Sequence, residues 1–168
     1  MFLDKFEKAF AYAVSNEGEY VCNKHDQGGE TKFGISQKAY PYLNIKDLTI
    51  DGAKKIYYND YWIRAKCDQI VDAAVATKLF DLAVNTGIKQ AAIILQRALR
   101  ATGFILEEDG IIGSKTIQCA NEANPSTLLA AMKSESAGYY RLIVAKRPSQ
   151  RQFLLGWLNR AYKKLVST

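Results

Sequence analysis

Apolar residues recur at helical spacing in the opening segment, where Phe2, Leu3, Phe6, Ala9, Phe10, Ala13 and Val14 fall on one face of a helix. Asp4 supports its first turn and Gly18 offers a stop, which places Glu17 where that helix ends. Between Tyr20 and Ser36 the periodicity breaks up. Asn23, Asp26, Gly28, Gly29 and Gly34 separate short apolar or β-branched pieces, a composition that suits a small irregular hairpin better than a helix. After Ser36 the pattern turns helical again. Thr49 or Asp51 can start a helix through Ile56, Tyr57 and Tyr61, and Val71 to Asn85 reads as a largely buried helix ended by Gly87. Lys89 to Thr102, carrying Ile93, Ile94, Leu95 and Leu99, forms the next and stops at Gly103. A turn over Glu107 to Gly113 precedes a short helix from Ser114 to Glu122. Asn124, Pro125 and Ser126 then open a long helix to about Lys146, and Pro148 divides it from a last one containing Phe153, Leu154, Trp157, Leu158, Tyr162 and Leu165. The fold class expected is mainly α, with one small β element after the first helix and a helical bundle at the C-terminal end. Any division into lobes falls near Gly87.

Composition narrows the class. A chain of 168 residues can bury an ordinary core, and no stretch is dominated by Ser, Gly, Pro or one charge sign, so neither linker nor disordered tail is expected. Three cysteines, Cys22, Cys67 and Cys119, cannot all be bridged internally and form no C-x-x-C pair, which favours buried reduced thiols over a disulfide scaffold. Charged residues interrupt the first apolar stretch, unlike a signal peptide, and no segment reaches the length of a transmembrane helix. A protein made in the cytoplasm, without stable membrane insertion, is therefore expected. The net charge of +6 attracts polyanions, but Lys and Arg are scattered and no nucleic-acid motif accompanies them. No nucleic-acid partner is expected.

Glu17 and Asp26 are the candidate chemistry. If the chain between them reverses as a hairpin, both carboxyl groups and Thr31 line one mouth of a cleft, as acid–base chemistry on a glycosidic bond requires. Among 17 acidic residues such a pair is also commonplace as solvated surface charge, and Thr31, Gly28 and Gly29 read equally well as turn residues. His25 has no second His or paired Cys at ligand spacing, and Asp109 lacks the alternating oxygen ligands of a calcium loop, so neither a metal nor another cofactor is expected. Cys22, His25 and Asp26 crowd into too short a span for a peptidase triad.

The segment NEGEYVCNKHDQGGETKFGIS, Asn16 to Ser36, closely resembles the signature of the phage and bacterial muramidases of glycoside hydrolase family 108. It joins Glu17, Gly18, Tyr20, Asp26, Gly28, Gly29, Thr31, Gly34 and Ile35 in order, while Glu19 stands where that pattern usually has a second Gly. YYNDYWIRAKCDQI (Tyr57 to Ile70) and KLFDLAVNTG (Lys78 to Gly87) resemble the second half of the same catalytic region. LQRAL, DGIIGSKT and GWLNR resemble the peptidoglycan-binding-like region that follows it in secretion-activator-like lysozymes.

The resemblance implies a lysozyme-like α+β fold, with a catalytic region over residues 1–87 and a helical peptidoglycan-binding-like region over residues 88–168, packed as one compact unit. It implies Glu17 as the catalytic acid, its pKa raised toward neutrality by shielding from Tyr20 or other aromatics, and Asp26 and Thr31 as holders of the attacking water. Substrate-binding expectations follow. Tyr20 lies beside the acid; Tyr61 and Trp62 stack on sugar rings, or else belong to the core; Asn85 bonds an N-acetyl group, or else satisfies backbone as a buried helix-end residue. The expected activity is metal-independent hydrolysis of the β-1,4 bond between N-acetylmuramic acid and N-acetylglucosamine. The rivals are a lytic transglycosylase and a non-enzymatic wall-binding or secretion-assisting protein. The expected setting is host-cell lysis by a phage endolysin, a monomer held in the cytoplasm until a holin or other export factor gives it access to the periplasm or cell wall.

Overall fold

Helix α1 (Phe2–Val14) puts Phe6, Ala9, Phe10 and Ala13 on its buried face. In the computed structural model, which describes residues 2–14, 21–22 and 30–165, this face meets an aromatic cluster contributed by two later helices. The Phe6 ring lies 5.6 Å from Trp62 and 5.9 Å from Phe80, and Phe10 lies 5.5 Å from Tyr57, all near edge-to-face. Each such pair adds roughly 0.5–1.5 kcal/mol beyond area burial.

The strands β1 (Val21–Cys22), β2 (Glu30–Lys32) and β3 (Ile35–Ser36) form an antiparallel sheet in that spatial order, with Thr31 opposite both Val21 and Ser36. The turn between β2 and β3 places Phe33 at φ 52° and Gly34 at φ 76°, and the Phe33 carbonyl accepts a hydrogen bond of 3.0 Å from the Tyr57 hydroxyl. That bond and the buried Ile35 fix the sheet to the helical body.

Residues 37–49 depart from the sequence expectation: no helix forms until α2 (Ile50–Tyr57). Pro41 disfavours helical backbone at Tyr40. Side chains take over local bonding, Gln37 Nε2 donating to the carbonyls of Tyr40 and Pro41, and Asn44 Nδ2 to Asp47 Oδ2 at 2.6 Å. Thr49 caps α2 by accepting from the Gly52 amide at 3.1 Å. Beyond Tyr57 the helix widens into π-helical turns over Tyr58–Ile63, and a short 3₁₀ turn, Cys67–Gln69, follows.

Asp72 caps α3 (Ala73–Thr86), whose residues Val75 to Ala83 are all buried, the pattern of a helix surrounded by protein. Gly87, at φ 82°, ends α3 and starts α4 (Ile88–Ala101). After α5 (Ser114–Glu122), Asn124 caps α6 (Pro125–Lys146), and Pro125 fits its first turn. α3 packs against α1, α4 and α6, and one buried cluster runs without a break from Phe6 to Met132. Buried Cys67 and Cys119 are free thiols within it.

The chain ends in a 3₁₀ turn (Pro148–Phe153) and α7 (Leu154–Tyr162), which stacks Trp157 on Tyr140 of α6 at 5.4 Å. The expected last helix is shorter at both ends: Phe153 lies in the 3₁₀ turn, and Leu165 lies past Lys163, whose backbone is extended. A buried ionic cluster ties α7 to α3. Asp81 Oδ1 accepts from Arg160 Nε at 3.0 Å and Asp81 Oδ2 lies 3.7 Å from Lys78 Nζ, which also donates to the α7 carbonyls of Arg160 and Ala161. Arg160 Nη2 reaches the Ala13 carbonyl near the end of α1 at 3.5 Å. Among the described residues no helix is long and apolar enough to cross a membrane.

Candidate functional site

A groove opens where the loop after β3, the π-helical turns and the start of α4 converge. Its first part, about 540 Å³, is lined by Ala39, Tyr40, Asp60, Tyr61, Arg64, Ile88 and Lys89. A second part of about 440 Å³ shares Arg64, Ile88 and Lys89 and extends to Asp109, Gly110 and Ile111. These volumes suit a ligand of a few sugar or amino-acid units.

The π-helical stretch builds one wall. It sends Trp62 into the core while Asp60, Tyr61 and Arg64 face the groove; π-helical turns recur at functional sites for this re-aiming of side chains. The Tyr40 hydroxyl donates to Asp60 Oδ2 at 2.8 Å. Burial, then the bond to Asp60, hold the Tyr40 phenol well above its ordinary range, so it remains a donor. The opposite wall begins at Gly87, which offers no side chain to cap α4, so the free amides of that helix start add positive potential beside Lys89.

The far part rests on a buried glutamine. Gln96 Nε2 donates to Asp109 Oδ1 at 2.7 Å and to the Ile111 carbonyl at 3.0 Å, and its Oε1 accepts from the Gly110 amide at 3.0 Å. The Gln96 bond, followed by the Ile111 amide, holds the Asp109 carboxyl below the usual carboxylate range. Gly110 adopts φ 74°, and a Cβ there would stand 2.8 Å from Lys89 Cγ and 3.3 Å from the Lys89 carbonyl. The glycine lets this turn pack directly beneath Lys89.

The sequence-predicted residues fare differently. Glu17, Tyr20 and Asp26 lie outside the described residues. Thr31 is half-buried on β2 opposite Ser36, so the two side chains share a sheet face, while the paired Lys32 and Ile35 share the other. Ile35 is in the core, so the Thr31 face looks away from it. The Ser36 carbonyl accepts from the amides of Ala39 and Tyr40, both groove residues, while Thr31 itself is not among the residues that line the groove. Tyr61 is half-buried and lines the groove.

Trp62 corrects the sugar-stacking expectation. It is 1% exposed, with Phe6 and Phe80 rings each 5.6 Å away, and has no face to offer a glycan. Asn85 is exposed rather than buried; its amide donates to the Asp81 carbonyl at 2.6 Å and to Asp81 Oδ1 at 3.3 Å, which is backbone satisfaction within α3. Tyr40, Asp60, Arg64 and Lys89 were not singled out by sequence reasoning. The available signal was weak: Asp60 and Arg64 sit at i and i+4 on the polar side of a helix whose other side carries Tyr57, Trp62 and Ala65. No group of His, Cys, Asp and Glu among the described residues is arranged to hold a metal ion.

Comparison with known proteins converges on one polymer. Residues 10–87 match the family model described as glycosyl hydrolase 108, and residues 90–162 match the model described as predicted peptidoglycan domain. Among solved structures the chain is similar to SagA of Brucella abortus, with a TM-score of 0.76 and 26% sequence identity over 95% of this chain and 90% of that one. No curated protein sequence gives a significant match. The architecture is mainly helical with a small antiparallel β element, consistent with a lysozyme-like α+β fold. The two family regions support a function in degrading or binding peptidoglycan. Residues 10–87 are thus similar to the glycosyl hydrolase 108 family, and the stretch that follows, residues 90–162, to a predicted peptidoglycan domain.

Proposed function

We propose that the protein is a muramidase that hydrolyses the β-1,4 bond between N-acetylmuramic acid and N-acetylglucosamine. The observation that carries this reading is the family 108 match over residues 10–87, the stretch that contains Glu17, Asp26 and Thr31. Glu17, protonated before the reaction, gives its proton to the departing glycosidic oxygen as the bond from the anomeric carbon breaks. Asp26, with Thr31, holds a water; its oxygen bonds to the anomeric carbon while its proton passes to the Asp26 carboxylate. The place of Thr31 on the sheet face opposite the buried Ile35 is compatible with this role. Direct attack by water gives inversion and calls for carboxyl groups more than roughly 6.5 Å apart, whereas about 5 Å favours a covalent intermediate.

The predicted peptidoglycan domain favours a second reading, wall binding without cleavage. A lytic transglycosylase would differ from both in leaving an anhydro product. Digestion of purified sacculi, with the muropeptides resolved by mass spectrometry, separates all three. Reducing ends from the wild type, reduced roughly 10²- to 10⁴-fold in Glu17→Gln, are the expected result. A folded Glu17→Gln protein that lyses walls at the wild-type rate overturns the assignment. In the lysis setting the protein waits in the cytoplasm as a monomer and a holin admits it to the wall; co-expression with and without a holin tests that step.

A further inference from the structure

We propose that Arg64 and Lys89 form a carboxylate-binding site for the peptide stems of peptidoglycan, so that the groove selects stem-bearing strands over bare glycan. The inference rests on the reading above for the identity of the polymer and adds a specificity that the family match does not assign.

The first support is position. Arg64, after the π-helical turns, and Lys89, in the first turn of α4, line both parts of the groove. One lies within the stretch matched by the hydrolase model and the other at the junction between the two family matches.

The second is the absence of an internal role. Some cations are engaged, Arg97 and Arg100 by Glu108 at 2.8 and 2.7 Å, Lys54 by Glu7 at 2.6 Å and Arg160 by Asp81 at 3.0 Å, while others outside the groove, such as Lys55 and Lys115, are not among the described residues. What sets Arg64 and Lys89 apart is that both line the groove. Arg64 and Lys89 are exposed and make no ion pair among the described residues. The groove's own acids, Asp60 and Asp109, keep their charge but make no ion pair with either cation, Asp60 being held by Tyr40 and Asp109 by Gln96 and the Ile111 amide. A cation left unpaired in a concave site is open to a ligand's carboxylate, and a planar guanidinium matches a carboxylate with two parallel bonds.

The third is what lies beside them. Tyr40 and Tyr61, in the same first part of the groove, supply rings against which sugar faces pack. A ligand combining apolar sugar faces with nearby carboxylates fits this wall better than a phosphate polymer without aromatic-packing rings. Gly110, by admitting its turn beneath Lys89, holds the cation at the junction of the two parts.

The test uses the full chain carrying Glu17→Gln, so that the polymer stays intact, and measures co-sedimentation with three preparations: intact sacculi, sacculi stripped of stems by an amidase, and sacculi stripped of phosphate polymers. Arg64→Gln with Lys89→Gln should weaken binding to stem-bearing sacculi roughly three- to thirty-fold, the product of two exposed charge contacts. Binding to stem-stripped sacculi should change less than twofold, and Lys89→Arg should retain the wild-type preference. Equal losses on intact and stem-stripped material, no loss on either, or a loss abolished only by removing phosphate polymers would each overturn the proposal. Both residues are exposed, so thermal midpoints close to the parent confirm that the variants are folded. Wild-type reducing-end release is scored separately: its absence defeats the muramidase reading, while the stem preference stands or falls on sedimentation.

Discussion

Replacing Asp81 with alanine should destabilise the fold far more than a lost surface ion pair would. The carboxylate has 2% side-chain exposure and compensates two cations, Lys78 at 0% and Arg160 at 16%. Without it, Lys78 Nζ keeps the Ala161 and Arg160 carbonyls, at 3.1 and 3.4 Å, and Arg160 keeps the Ala13 carbonyl at 3.5 Å. Carbonyl dipoles do not cancel a buried net charge. Breaking a buried pair by removing one partner costs about 3–5 kcal/mol, and at roughly 2–4 °C per kcal/mol for a chain of this length the midpoint should fall by about 6–20 °C. Asp81→Asn, which keeps an acceptor toward Arg160 Nε, should lose less. In a Lys78→Met background Asp81→Ala should also cost less, with a coupling of at least about 1 kcal/mol in the double-mutant cycle. Thermal melts followed by circular dichroism at fixed pH and salt measure the wild type and all four variants. An Asp81→Ala midpoint within about 2 °C of wild type would refute the electrostatic account of how α7 is held to α3.

The same cluster gives a pH dependence. Burial, opposed by Asp81, holds the Lys78 pKa below its ordinary 10.5. Between the folded value and 10.5 the unfolded chain binds more protons, so this group's contribution to stability rises with pH through that window and is lost as pH falls through the folded pKa. Lys78→Met should flatten the alkaline limb of a midpoint-versus-pH curve, and an unchanged slope would count against it. Trp62→Ala should cost about 3–5 kcal/mol by leaving a cavity between Phe6 and Phe80. A melt of that variant within about 2 °C of wild type, with glycan binding impaired, would return Trp62 to the sugar site.

The helices were legible in the sequence because their signals are local. Thr49, Asp72 and Asn124 are side chains that accept the first free amides, Gly87 takes a positive φ, and Pro125 needs no amide partner, so each boundary is written within a few residues of itself. The family 108 resemblance was likewise carried by an ordered run of residues from Glu17 to Ile35, and the match over residues 10–87 agrees with it. Residues 37–49 misled because apolar spacing alone does not register Pro41 or the bonds that Gln37 and Asn44 make to their own loop.

Burial and convergence belonged to the tertiary structure. Tyr61 and Trp62 are neighbours with similar chemistry, yet one lines a groove and the other is sealed between Phe6 and Phe80, because α1 and α3 cover only one side of the π-helical turns. Lys78 and Asp81 look like helix-surface charges until α7 arrives from some eighty residues away to enclose them. The groove gathers Tyr40, Asp60, Arg64, Lys89 and Asp109 from separate segments. Capping and periodicity act over a turn or two of chain and are therefore written in order along the sequence. Which side chains lose water, and which charges end up facing one another, depends on how distant segments pack.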